Sequence, residues 1–270
     1  MASTGELYGR RCELQIGNRR WSDLRVVFEI ERSLLKSPNK AMIAIYNLAA
    51  STIGDINQPG AEVSLVAGYR DTAETIFSGQ LQRIESQREG PSLACRVLAR
   101  DGITAWNRGI SASLTGGDLF LSGAVQRIAT AIGLTVPAST ATALGSVRLR
   151  RSVALHGYGH RELDTLLRSN GFEWSIQSGS LQVLAVGAPL AERPVILSAQ
   201  TGLVDSPVQA EKGSGWVAQS LLQPKIMPGR SVLLQSERAT GTYRVVRVVH
   251  RGDTHGANVW HSELELRGAN

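Results

Sequence analysis

Gly241-Thr242-Tyr243-Arg244-Val245-Val246-Arg247-Val248-Val249-His250, a break at Gly252-Asp253, then Trp260-His261-Ser262-Glu263-Leu264-Glu265-Leu266 is the stretch that decides the fold. Apolar and polar residues alternate on both sides of the break, which is the pattern of a β-hairpin with one buried face. Tyr243 and Val245 face one way, and Val248 joins them after a slip at Arg247; Trp260, Leu264 and Leu266 supply the second arm. Much earlier, Ile76 to Ile84 runs through a polar break and returns as Leu93 to Ala99 in the same style. The spacing implies two related β-units in one chain.

The chain has 270 residues, enough for a sizeable core in one large β domain or in two to three smaller ones. A hydrophobic fraction of 42% with 19% charged residues excludes a disordered chain. No apolar run reaches the length of about 18 residues that a membrane helix needs, and Met1 to Glu6 has no signal-peptide pattern, so the protein is expected to be made and kept in a cytoplasm, or to leave it by lysis. Cys12 and Cys95 lack metal-type spacing and are expected as buried thiols. The net charge of +6 is spread as Arg19-Arg20, Arg148-Leu149-Arg150-Arg151 and single arginines between valines. That is a solvated strand face, or arginine set for pairing with carboxylates between subunits, and not the dense basic helix of a nucleic-acid reader.

Working outward, alternation at Leu24, Val26, Phe28 and Ile30 predicts a strand within Leu14–Ile30, and Ala41 to Tyr46 predicts the next. Ser51 or Thr52 is expected to cap a short helical turn before Pro59-Gly60. Val63, Leu65 and Ala67 lead into the first hairpin. After Trp106 the period changes. Leu121, Ala124, Val125, Ile128, Ala129 and Ile132 form a helical stripe within Asp118–Gly133, and Leu163, Leu166 and Leu167 form another within His160–Asn170, each closed by glycine. The segment Pro137–Ser146 reads as a loop, and Phe172 to Ile176 with Leu181 to Val183 as a small hairpin. Gly187 to Pro194 reads as a linker. The expected organisation is a β-unit at residues 1–107, an α+β middle at 108–190 and a second β-unit at 191–270.

Chemistry is sparse. His156, His160 and Glu162 have the residue types of a zinc site, but Gly157 and Gly159 weaken the helix that would place both rings on one face, so loop histidines are expected. His250, His255 and His261 fall on different faces of the terminal hairpin. No nucleophile elbow occurs, and Cys95 has no histidine near it in sequence. Asp101-Gly102 and Gly252-Asp253 are turn residues. Gly116-Gly117-Asp118 precedes a helix without the lysine or glycine pattern of a phosphate loop. Trp174 and Trp216 are expected in the core, whereas Trp21, Trp106 and Trp260 are divided between core and a subunit interface. The residues describe a mainly β, non-enzymatic protein with no catalytic, cofactor or metal site.

Ala41 to Leu48, Ala67-Gly68-Tyr69-Arg70, Ile76-Phe77-Ser78-Gly79 and Asp101-Gly102 resemble the N-terminal signature of the baseplate hub proteins of tailed phages. Ile128 to Leu134, Glu162 to Leu167, Gly171 to Ile176 and Leu181 to Leu184 are similar to that family's helix, helix and hairpin insert. Gly202 to Pro207, Leu222 to Gly229 and Gly241 to Val245 continue the resemblance, which runs from about Leu14 to Leu266. It implies a homotrimeric ring at the virion's tail baseplate in which each chain gives two tube-like β-barrel units, so that three chains match a six-fold tail tube. The implied partners are the tube or a distal tail protein above, a trimeric spike below, other baseplate proteins and the tape-measure protein. It brings no catalytic residue, cofactor or metal, and no specific nucleic-acid binding or membrane insertion. In such a ring the terminal hairpin would lie in the wall, with Arg244, Arg247 and Arg251 toward a neighbour or the lumen. The same residues fit the hub of a phage-tail-like injection particle (a tailocin). A peptidoglycan-binding or peptidoglycan-cleaving tail component is the alternative that the middle domain and the His156, His160 and Glu162 cluster suggest.

Overall fold

The computed structural model describes residues 8–35, 37–114, 120–145, 147–149, 152–210, 215–256 and 259–269. It divides into two compact units: residues 1–33, 39–100 and 187–270 form the first, and residues 34–38 and 101–186 the second.

In the first unit the alternating stretches become strands that are apolar on one side. They are β1 (Arg10–Ile16), β2 (Arg19–Trp21), β3 (Val26–Ser33), β4 (Lys40–Tyr46), β5 (Glu62–Tyr69), β6 (Glu74–Glu89) and β7 (Ser92–Arg100), with the short helix α1 (Ala50–Ile56) between β4 and β5. Ser51 and Thr52, expected as caps, lie inside α1, whose N-cap is Ala49 and makes no side-chain cap bond. The remaining strands of this unit come after the second unit in sequence: β12 (Val195–Leu197), β13 (Val208–Gln209), β14 (Gly215–Leu221), β15 (Ser231–Gln235), β16 (Thr240–Asp253) and β17 (Trp260–Gly268).

All thirteen join one sheet, in the order β13-β14-β17-β16-β3-β4-β7-β6-β5-β1-β2, with β15 on β16 and β12 on β15. Among the described residues of this sheet, only the β12–β15 pair is parallel. One core gathers Leu14, Ile30, Ile43, Leu65, Phe77, Leu81 and Val97 from the N-terminal strands, and another gathers Leu197, Val232, Leu234, Val245, Val248, Leu264 and Leu266 from the C-terminal ones. Each fully buried aliphatic side chain contributes about 1.5–3 kcal/mol relative to exposure. The two β-rich ends of the chain therefore share a sheet over two cores, the first of which also takes Leu222 and Trp260 from the C-terminal end.

The second unit is α+β. It contains α2 (Ile103–Asn107), β8 (Gly109–Leu114), α3 (Leu121–Ile132), α4 (Ala138–Leu144), β9 (Val153–Tyr158), α5 (Gly159–Arg168), β10 (Phe172–Gln177) and β11 (Ser180–Ala185). The stripe expected on α3 is buried, and Gly133 closes the helix at φ 82°, where a side chain would be strained. Asp118, the expected start of this helix, lies outside the described residues.

The expected loop at Pro137–Ser146 is instead the helix α4, within the described part of that segment. Its Ala/Thr/Ser run has no apolar stripe to announce it. Leu144 is buried, and the Thr140 hydroxyl donates to the carbonyl of Leu181 in β11 at 2.8 Å, so packing specifies the helix where periodicity does not.

The β10–β11 hairpin turns at Ser178-Gly179, both at positive φ. Asp101, 2% exposed, accepts hydrogen bonds from the Ser178 and Gly179 amides at 2.6 and 2.8 Å. Removing that carboxylate leaves two turn amides without their acceptor. Asp101→Ala should therefore cost about 1–3 kcal/mol of stability, measured by urea unfolding followed through Trp106 and Trp174 fluorescence, whereas an unchanged midpoint would show the turn to be independent of Asp101.

Candidate assembly surface

The hairpins β6–β7 and β16–β17 are built alike. In β16 the register slips between Val245 and Arg247, so the bulged residue is Val246 and not Arg247 as expected from the sequence. In β6 it slips between Leu81 and Arg83, at Gln82. Both strands have a first partner that ends just before the bulge. The Gly60 amide donates to the Leu81 carbonyl, and the Leu81 amide donates to Ala61. At the other hairpin, Gly229 donates to Val245, and Val245 to Arg230. Both corners are Pro-Gly, with Gly60 at φ 87° and Gly229 at φ 89°. Beyond these corners β5 and β15 run back along the hairpin arms, Val63 opposite Gly79 and Val232 opposite Tyr243.

Past its bulge β16 is taken up by β3, in a register from Arg247 opposite Ser33 to Asp253 opposite Val27. The matching stretch of β6, Arg83 to Glu89, pairs with β7 on one edge only among the described residues, and Arg83 and Glu85 to Arg88 are exposed. At the far end of the sheet β13 pairs only with β14 among the described residues, and its Val208 is 61% exposed. Among the described residues the β13 edge and the Arg83–Glu89 stretch of β6 are thus sheet edges without a strand partner, as are the outer edges of β2 and β12.

Arginines on β16 tie three strands together by their side chains. Arg247 bonds Glu31 on β3 at 2.9 Å and Glu265 on β17 at 3.1 Å, while Arg251 bonds Glu29 at 2.9 Å and Glu263 at 2.6 Å. These side chains are about a third exposed, so each pair adds less than about 1 kcal/mol and mainly fixes register. Arg244 was expected to face a neighbour or lumen with them. It is buried instead, its Nη1 donating to the carbonyl of Ala188 in the 187–194 segment.

The residues considered for chemistry are not brought together. His156 is exposed on β9, opposite Ser111. His160 opens α5, donates through Nδ1 to the Trp106 carbonyl and stacks on the Trp106 ring at 4.3 Å and 8°. Among the described residues no group of three or more His, Cys, Asp or Glu is placed to hold a metal ion. Cys12 and Cys95 are buried, and burial pushes the Cys12 thiol up to about 12, where it is a poor nucleophile. Trp260 and Trp174 are core residues, whereas Trp21, Trp106 and Trp216 are half-buried. The Gly116-Gly117-Asp118 stretch lies outside the described residues.

Asp253 ends β16, and its carboxylate receives both arms of Arg25 and the His255 amide, which hold it below the usual carboxylate range. No sequence pattern announces that lock, because Arg25 and Asp253 are far apart in the chain.

Compared with solved structures, the whole chain resembles phage tail proteins. A tail protein from Neisseria meningitidis MC58 superposes with a TM-score of 0.69 over 96% of this chain and 97% of that one, at 10% identity. The tail protein of prophage MuSo2 from Shewanella oneidensis gives 0.66 over 95% and 97%, at 11% identity. The E. coli c3393 protein gives 0.65 over 95% and 77%, at 13% identity; it is a component of the type VI secretion system, with structural similarity to the T4 tail proteins gp27 and gp5. No protein-family model and no curated protein matches the sequence. The fold, mainly β with an α+β insert, is thus the fold of phage tail proteins, and the type VI component shares it. Among the described residues no helix is long and apolar enough to cross a membrane.

His250 supplies a test of the β16–β17 core. It is fully buried with Nδ1 2.8 Å from the Ser262 hydroxyl, and burial, aided by the nearby Arg32 charge, lowers its pKa to about 3. An unfolded histidine titrates near about 6.5, so between these values the unfolded chain binds a proton that the folded chain refuses. Stability should therefore fall as pH drops from about 6.5 toward 3, by up to about 1.4 kcal/mol per pH unit from this residue. His250→Gln should remove that part of the slope in chemical denaturation at successive pH values; an unchanged slope would show that the ring stays accessible to protons.

Proposed function

We propose that this protein is a structural baseplate hub of a phage tail, a homotrimeric ring that joins the six-fold tail tube to a three-fold central spike. The observation that carries this reading is the doubled β-unit: two hairpins bulged at matching points, two Pro-Gly corners and two separate cores within one chain. Three such chains present six like units to a six-fold tube while keeping three-fold symmetry toward a spike. In this reading the two β-rich ends are tube-like units, and the α+β unit between them in sequence decorates the ring. The likeness to the tail proteins of Neisseria and Shewanella supports placement in a tail, with a tube or distal tail protein above, the spike below, other baseplate proteins around it and the tape-measure protein as a lumen occupant. The role is structural, at the virion tail.

A second reading, the hub of a phage-tail-like contractile injection particle, draws on the likeness to the type VI secretion component. Particles pulled down with the tagged chain separate the two: a DNA-filled head on the tail supports the phage, and headless tails support the injection particle.

The ring itself is tested by native mass measurement and particle imaging of the purified full chain, alone and with a trimeric spike protein and the tube protein from the same particle. A mass of three chains and three-fold averages are expected. A chain that stays monomeric and binds neither spike nor tube overturns the hub reading.

A further inference from the structure

The chain pairs one of its two bulged strands completely and leaves the other half-paired, and the completed case gives a template for what is missing. On β16, β15 covers the edge up to Val245, and β3 covers Arg247 to Asp253. On β6, β5 covers the edge up to Leu81, and Arg83 to Glu89 stays open among the described residues. The two strands align residue for residue through their bulges, Leu81 with Val245 and Arg83 with Arg247, which sets Gln87 in the place of Arg251. Burial follows the same contrast: Val248 to His250, Gly252 and Asp253 are buried under their partner, while Glu85 to Arg88 are exposed.

The strand equivalent to β3 also exists in the C-terminal half. Both β3 and β13 precede, and pair antiparallel with, the strand that lies on the returning arm of their hairpin: β4 on β7, and β14 on β17. Met42 lies opposite both Glu29 and Leu98, and Val217 lies opposite both Val208 and Glu265. Leu98 and Glu265 hold the same station, since each faces the first residue after the bulge, Arg83 or Arg247. Val208 is therefore the counterpart of Glu29. Glu29 sits opposite Arg251 in the finished seam. Among the described residues the outer edge of β13 has no strand partner, and it carries the exposed Val208, with exposed Val204 before it.

Resting on the ring reading, we infer that the open edge of β6 at Arg83–Glu89 receives, antiparallel, the β13 edge of a second copy of this chain, with Gln87 of one copy opposite Val208 of the next. Backbone groups left unpaired on both edges are paired by such strand addition. The contact joins two different patches, so it is heterologous and propagates from copy to copy until the ring closes, and it cannot close as a two-fold dimer. The side chains also change at this seam. Where β3 meets β16 with Glu29 and Glu31 against arginines, the intermolecular seam places Val208 and Gln209 against Gln87 and Ser86, and Arg83 turns to Glu85 on its own strand at 3.1 Å. The intermolecular seam thus relies on backbone pairing with little ionic contribution.

Cysteine cross-linking of the full chain tests the register. Gln87→Cys combined with Val208→Cys, both at exposed positions, should give covalent dimers and trimers on mild oxidation, and mixing the two single variants should give dimers only. Arg88→Cys with Val208→Cys shifts the pairing by one residue and turns one thiol to the other face of the sheet, so its yield should fall at least tenfold. The native Cys12 and Cys95 are buried and serve as background in the unsubstituted chain. An assembled ring in which the Gln87/Val208 pair fails to cross-link overturns this edge assignment and leaves the ring intact. A chain that stays monomeric and uncross-linked overturns the ring and this seam together.

Discussion

A strand in this sheet has two edges to satisfy, and the bulge at Val246 lets β16 change partners along one of them. Before the bulge that edge belongs to β15, and after it to β3, so one residue of slip joins the C-terminal strands to the N-terminal ones. Arg247 and Arg251 stand just beyond the slip and reach carboxylates on both flanking strands, which resists a return to straight register. Without that handover the two cores would belong to two separate sheets.

The tail-protein fold needs little chemistry beyond this. Buried thiols, a neutral buried histidine and a glutamate-arginine ladder all serve packing or register, and the polar groups that look reactive in sequence are engaged locally: His160 on Trp106, Asp101 on a turn. Among the described residues His156, His160 and Glu162 form no metal-holding group.

Much of this was legible in the chain. Alternation at Val63, Leu65 and Ala67, or at Leu264 and Leu266, leaves one register once a face is buried, and the helical stripe from Leu121 to Ile132 leaves one face for the core. Illegible were features set by distant partners. The α4 helix depends on Leu181, which lies beyond another helix in the chain, and Arg244 is buried by a segment more than fifty residues away. Alternation alone does not place the bulge, because Val246 and Arg247 both break it, and only the ladder shows that Val246 is skipped. The half-open β6 needed the finished seam beside it to become readable as an edge.

The β3–β16 seam also sets an order of events during synthesis. Ile30 leaves the ribosome long before its partner His250. Until then the edge of β3 lies bare in the nascent chain, and closing it requires a loop that spans the whole second unit. Long-range pairing of this kind slows folding and exposes strand edges to other chains. The strand addition that would build a ring is thus a hazard before the chain is complete, and a supply of chaperone would set how much protein is recovered.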